Sequence, residues 1–231
     1  VGYKYDITYA KDKFDESKWP AGMTVTFVYE YEILGPRKIK LRFKEGYFSD
    51  NAPKAATPDL IKGKKILVGI TGGIAAYKTP LIIRFLVKQG ADVKVVATES
   101  AMQFVTTTVL ETLSKHNVYS DLFSERNQYN TEHISLSEWA DMMVVAPATA
   151  NCIGKMTSGI ADDALSTLLL AFRKPIFLCP AMNTNMYEHF SVRRNIEYLR
   201  ENGIAIIEPT CGELACGIDG KGRMEEPENI V

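Results

Sequence analysis

From Lys64 onward the chain alternates short apolar runs with longer amphipathic stretches, a pattern few folds can absorb. The apolar runs are residues 66–71, 93–97, 142–146, 176–179 and 204–207. Between them, residues 75–89, 101–114, 150–156, 162–171 and 188–201 carry helical spacing. Continuously apolar strands are buried on both faces, and helical crossovers between them imply a parallel sheet covered on each side. Pro80 falls inside the first helical stretch, where it either kinks the helix or sits within its opening turns.

Residues 1–60 read differently. Val25, Phe27, Tyr29 and Tyr31 alternate with Thr24, Thr26, Glu30 and Glu32; after Leu34-Gly35-Pro36, Ile39, Leu41 and Phe43 share one face. Period-two alternation about a Gly-Pro turn predicts a β-hairpin with one buried face. An isolated hairpin is marginal in water, so this one must pack on something. Residues 49–58 have linker composition. The expected division is an unassigned hairpin and linker over 1–60, then an α/β domain over 61–231.

With 46% hydrophobic residues among 231, there is material for one sizeable core and a small appendage. A net charge of -1 argues against a nucleic-acid partner. No apolar run reaches the roughly 18 residues of a membrane span, and no signal-peptide pattern opens the chain. Cys152, Cys179, Cys211 and Cys216 form no two-residue pair, and histidines are few, so no metal is expected. These features describe a reduced, cytoplasmic protein. Val1 in place of an initiating Met points to a processed, cut or engineered start.

Three loops follow predicted strands, where open α/β sheets put ligands. Gly72-Gly73 opens a helix, either as a phosphate-approaching turn or simply as a tight connection. No Gly-x-Gly-x-x-Gly and no Gly-Lys-Ser/Thr is present. The next strand ends in Ala97-Thr98-Glu99-Ser100. A dinucleotide fold would place a carboxylate on the ribose there, whereas the Thr98 hydroxyl suits a phosphate monoester, so FMN fits better than NAD if Glu99 points away. Thr149-Ala150-Asn151-Cys152 can line a planar ring or merely cap a helix.

Four motifs come in a specific order: Gly-Gly-Ile-Ala-Ala-Tyr-Lys (72–78), His-Ile-Ser-Leu-Ser-Glu-Trp-Ala-Asp (133–141), Gly-Ile-Ala-Asp-Asp (159–163) and Pro-Ala-Met-Asn-Thr-Asn-Met (180–186). Together they resemble the flavin-dependent cysteine decarboxylases, and within them the phosphopantothenoylcysteine decarboxylases, over about 64–227. The resemblance implies a three-layer α/β/α sandwich with a Rossmann-like parallel sheet. It implies FMN held by Gly72, Gly73, Ile74, Thr98, Thr149, Ala150, Asn151 and Cys152, with Thr149 standing where the family usually has Ser and Cys152 where it usually has Thr. It also implies homo-trimers or dodecamers of trimers, with the active site at a subunit contact. Bacterial members often carry a ligase domain downstream, so a C-terminal ligase missing from this chain is expected.

The same resemblance distributes the chemistry. Loss of CO₂ from a cysteine carboxylate needs an electron sink, which a flavin provides by first oxidising the thiol-bearing carbon. His133 is implied as the catalytic histidine that manages a proton; alone, it would read as a satisfied structural residue. Asn183 is implied to hold the substrate carboxylate, with helix capping as its other reading. Met182 and Met186 are pocket wall or core filler, Met186 being assigned to the substrate. Cys216, in the glycine-rich stretch 211–224, is implied to protonate the enethiolate product; Cys211 matches nothing. The leading expectation is decarboxylation of 4′-phospho-N-pantothenoylcysteine to 4′-phosphopantetheine in coenzyme A biosynthesis. Peptidyl-cysteine decarboxylation and a non-catalytic regulatory subunit are the alternatives.

Overall fold

The computed structural model describes residues 25–35, 38–48, 61–122, 132–213 and 219–231. The chain divides into two compact units, Val1–Pro58 and Asp59–Val231. In the first, β1 (Val25–Gly35) and β2 (Lys38–Phe48) pair antiparallel, with Tyr29 opposite Phe43, Tyr31 opposite Leu41 and Ile33 opposite Ile39. The second strand thus runs past its expected end at Phe43. The expected turn at Pro36 lies outside the described residues.

The second unit begins with β3 (Lys65–Ile70), a short 3₁₀ helix (Ile74–Lys78) and α1 (Thr79–Lys88). Next come β4 (Asp92–Ala97), a second 3₁₀ helix (Glu99–Gln103), α2 (Thr107–Ser114) and α3 (Glu132–Trp139). Then follow β5 (Met142–Ala148), α4 (Ala150–Ser158), α5 (Ala164–Ala171), β6 (Ile176–Pro180), α6 (Thr184–Glu188) and α7 (Phe190–Glu201). The chain continues through β7 (Ala205–Ile206), the β8 (Thr210–Glu213) and β9 (Asp219–Arg223) hairpin, and α8 (Pro227–Ile230).

Five parallel strands lie in the order β4-β3-β5-β6-β7. The chain steps from β3 to β4 on one side, then returns to β5 on the other. The loops after β3 and β5 therefore diverge and leave a crevice between them. Alternate strand residues feed opposite layers. Leu67, Met143, Val145 and Leu178 pack with Leu136, Ile153, Leu165, Leu168, Ile196 and Leu199 from α3, α4, α5 and α7. Ile66, Val68, Val93, Val95 and Val144 pack with Ile82, Ile83, Leu86 and Leu110 from α1 and α2. This is the expected α/β/α sandwich with its Rossmann-like sheet. Among the described residues, no helix is long and apolar enough to cross a membrane.

Three predicted helices are each split. Residues 75–89 become a 3₁₀ turn and α1, with Pro80 in the first turn of α1, where its missing N–H costs no helical bond. Residues 101–114 become a 3₁₀ helix and α2, which starts at Thr106, whose Oγ1 accepts from Val109 N at 3.4 Å. Residues 188–201 become the tail of α6 and then α7, separated by extended His189. At α2 and α7 a capping side chain, Thr106 or His189, takes up backbone donors that periodicity alone would leave in a continuous helix, whereas α1 has no side-chain cap and opens on Pro80.

Candidate functional site

The crevice at the switch point has a volume of about 1110 Å³ and is walled by all three expected loops. Gly72, Gly73 and Ile74 come from the end of β3, Thr98 from the end of β4, and Thr149, Ala150, Asn151 and Cys152 from the junction of β5 and α4. Asn183 and Met186 join them from the loop after β6 and from α6. Ten of the twelve expected site residues thus share one cavity.

Threonines tie these loops together. Thr71, buried at the end of β3, donates from Oγ1 to the Pro147 carbonyl at 2.7 Å and accepts from Thr149 N at 3.1 Å. Thr79 Oγ1 donates to the Ala146 carbonyl at 2.6 Å. The two sides of the switch point are therefore held in register by buried hydroxyls. Gly72 is required by this packing: a Cβ there would lie 2.4 Å from Ser100 Cβ and 3.0 Å from the Ser100 carbonyl carbon. Its bareness lets the β3 and β4 loops touch. At Gly73, by contrast, the nearest atom to an added Cβ is Thr149 Cγ2 at 3.5 Å.

Thr149 and Asn183 each cap a helix and also line the crevice. Thr149 caps α4, its Oγ1 accepting from Cys152 N at 3.4 Å, and also lines the crevice. Asn183 caps α6, its Oδ1 accepting from Asn185 N at 2.8 Å, which aims its amide group from a fixed position. Thr98 Oγ1 accepts from Ala101 N at 3.2 Å, leaving its own hydrogen to donate. Glu99 is exposed and stands at the crevice edge. Met186 is 49% exposed and Met182 is half-buried against the core, and both line the crevice. Burial, reinforced by the nearby Asp163 charge and opposed by Lys155, pushes the Cys152 thiol up to about 12 and keeps it neutral.

Several crevice residues carried no role in the sequence reading. Lys155 is paired with Asp162 at 2.6 Å and Asp163 at 2.8 Å. Burial pushes the Asp163 carboxyl up, but Lys155 and the amide and hydroxyl of Ser166 outweigh it and hold it below the usual range. Buried Lys78 donates to the Met224 carbonyl at 3.1 Å and to Glu226 Oε1 at 2.9 Å. Its partners are far along the chain, which hid them from the sequence; only its place in the Gly-Gly-Ile-Ala-Ala-Tyr-Lys motif hinted at them.

Two expected residues are not in this group. His133 stands half-buried in the first turn of α3, a helix whose side chain at Leu136 is buried in the core, and it does not line the crevice. Cys216 lies outside the described residues. Cys211 is an exposed free thiol in β8.

The donor set suits a flat, phosphate-bearing ligand. Small side chains and a helix start face the cavity at Ala150–Asn151, a threonine hydroxyl and glycine backbone stand at Thr98 and Gly73, and the volume exceeds that needed for one small ligand. Fold and crevice together define a doubly wound α/β protein with its ligand site at the topological switch point. The profile of the flavoprotein family matches residues 54–231, and the chain belongs to that family. The coenzyme A biosynthesis bifunctional protein CoaBC of Bacillus subtilis (strain 168) is 51% identical over 172 residues, 74% of this chain and 42% of its own length. The protein of the same name from Escherichia coli (strain K12) is 43% identical over 171 residues, 74% of this chain and 42% of its own. The chain thus spans less than half the length of these curated relatives. A PPC decarboxylase cysteine-to-serine mutant complexed with pantothenoylaminoethenethiol superposes with a TM-score of 0.67 and 32% identity, over 73% of this chain and 94% of that one. The FMN-dependent cysteine decarboxylase SpaF gives 0.65 and 28%, over 74% and 94%.

Proposed function

We propose that this chain binds FMN in the switch-point crevice and decarboxylates 4′-phospho-N-pantothenoylcysteine to 4′-phosphopantetheine, a step of coenzyme A biosynthesis. The observation that carries the reading is the convergence of the β3, β4 and β5 loops with Asn183 on one cavity. The similarity to a PPC decarboxylase and to bifunctional coenzyme A biosynthesis proteins supports the substrate.

Bound flavin would supply a two-electron acceptor that makes CO₂ loss from a cysteine unit feasible and would return those electrons to the product, so that the overall decarboxylation is redox-neutral. Thr98, Gly72 and Gly73 would take its phosphate, and Ile74 with Thr149–Cys152 its ring. Asn183 would hold the substrate carboxylate through a neutral amide. A cation there would stabilise the ground-state carboxylate and oppose its departure as CO₂. Met186 would close the wall beside it. Cys216 would give a proton to the enethiolate left by decarboxylation. His133 would manage the thiol proton, reaching the crevice from a neighbouring copy in a homo-oligomer. Free thiols at Cys152, Cys179 and Cys211 agree with a reducing cytoplasmic setting.

Mass spectrometry of ligand released from the purified protein should give FMN, and incubation with 4′-phospho-N-pantothenoylcysteine should release CO₂. FAD or NAD as the stoichiometric ligand would overturn the cofactor. FMN with no CO₂ release would overturn the substrate while leaving the cofactor standing.

A further inference from the structure

Three cationic side chains line the described part of the crevice: Lys78, Lys155 and Arg223. They are matched unequally. Lys155 faces two carboxylates, Asp162 and Asp163. Lys78 and Arg223 share one, since Glu226 Oε1 accepts from Lys78 Nζ at 2.9 Å and from Arg223 Nη2 at 2.6 Å. Two carboxylates thus face the one cation Lys155, while Lys78 and Arg223 share Glu226, and Glu99 stands separately at the crevice edge. Of the two β9-side cations, Lys78 is buried and also bound to the Met224 carbonyl, whereas the Arg223 side chain is 44% exposed. Arg223 is the group with capacity left for a ligand.

Its placement is fixed by the backbone beneath it. Gly222, at φ +151, could carry no side chain, because a Cβ would meet the Met182 carbonyl oxygen at 2.2 Å. Met182 N donates to the Gly222 carbonyl at 3.0 Å, locking β9 to the loop that carries Asn183. Gly222 is the extra residue of a bulge, since Thr210 pairs with Arg223 and Cys211 with Lys221, and Arg223 follows directly after it. Its Nη1 lies 3.5 Å from where a Cβ on Gly212 would stand, over a bare stretch of β8. A guanidinium held this way offers parallel N–H donors suited to a tetrahedral oxyanion.

We infer that Arg223 is the recognition residue for a phosphate monoester bound in the crevice, either the flavin's or the substrate's. The inference rests on the decarboxylase reading above for its ligands. A role in holding the departing carboxylate is disfavoured because a cation there would oppose CO₂ loss, and Asn183 offers a neutral alternative.

Arg223→Met and Arg223→Lys test it, with flavin content and circular dichroism as controls for folding. One arm measures exchange of bound FMN against riboflavin in the holoprotein. The other compares kcat/KM for 4′-phospho-N-pantothenoylcysteine with that for N-pantothenoylcysteine. Losing a charge-assisted pair should reduce the preference for the phosphorylated partner about 10- to 100-fold in one arm, and Arg223→Lys should restore part of it. A change in the FMN arm assigns the flavin phosphate, and a change in the substrate arm assigns the substrate phosphate. Equal losses on phosphorylated and unphosphorylated partners, or no change in either ratio, overturn the proposal. If Arg223→Met fails to fold, Arg223→Lys alone decides, since a lost fork must still lower one of the two ratios. If the parent protein releases no CO₂, the substrate reading has failed, and the FMN arm still decides whether Arg223 recognises phosphate.

Discussion

Cys152 and Cys179 are held protonated by burial, which pushes each thiol up to about 12. For Cys179 the Glu225 charge adds to that effect. A folded pKa above the unfolded one means that the native state keeps its proton while the unfolded chain loses it. These thiols therefore contribute stability at neutral pH that is lost as pH rises from their ordinary 9.0 toward 12. Urea midpoints measured across that window should fall, and Cys179→Ala should fall less steeply than the parent. Parallel declines in the two proteins would remove the thiol from the explanation. At neutral pH, alkylation followed by peptide mapping should label exposed Cys211 well before Cys152 or Cys179. At this scale the sequence showed residue chemistry but not residue partners. Gly72 was readable as a glycine needed for close approach, yet what approaches it is Ser100, 28 residues on, a contact made only by folding. Lys78 was visible inside its motif, but its partner Glu226 is 148 residues away.

Among elements, the strands were legible because continuous apolar runs leave a sheet strand few other places to go. Helix α3 was not, since Ile134 is 41% exposed while Leu136 is buried, and so short a polar stretch presents no clear stripe. The β8–β9 hairpin was equally hidden. Its strands are polar and glycine-rich, and they are held in place largely by side-chain bonds. Glu208 is the centre of that attachment: its carboxylate accepts from Lys221 Nζ at 2.7 Å in β9, Tyr187 Oη at 2.9 Å in α6 and Arg200 Nη2 at 2.6 Å in α7. Burial pushes Glu208 up, but Lys221, Tyr187 and Arg200 outweigh it and hold it below the carboxylate range. A depressed folded pKa gives stability that is present above the unfolded value and lost as pH falls through the folded one. Glu208→Gln should lower stability by about 1–3 kcal/mol, since it weakens charge-assisted bonds from a partly buried site. It should also flatten the acid side of the stability profile and raise KM more than it lowers kcat, because β9 braces the Asn183 loop. Thermal melts at several pH values, with kinetics alongside, measure both. An unchanged acid limb would mean that Glu208 does not anchor the hairpin.

For the whole molecule, the family match covers residues 54–231, and the described crevice residues all belong to the compact unit Asp59–Val231. Deleting residues 1–58 should leave bound FMN and CO₂ release within about two-fold of the parent, a surface-scale change. Loss of activity with flavin retained would tie the hairpin to catalysis. The position of His133 carries the larger consequence. It lies on α3 and does not line the crevice that Asn183 lines within one chain. If both residues serve one reaction, the site must be built between copies, with His133 from one and Asn183 from its neighbour. In a closed ring each interface repeats this arrangement, so two different inactive variants can complement each other. His133→Asn and Asn183→Asp should each be inactive with flavin still bound. When the two are unfolded, mixed in equal amounts and refolded together, about a quarter of the interfaces receive both native residues by random assortment. CO₂ release should then recover to about that fraction of the parent rate, and size-exclusion chromatography should show the same oligomer for all three samples. No recovery from mixtures that reassemble and bind flavin would confine the site to one chain. His133 would then be a structural residue of α3, and the proton would have to be handled from within the crevice.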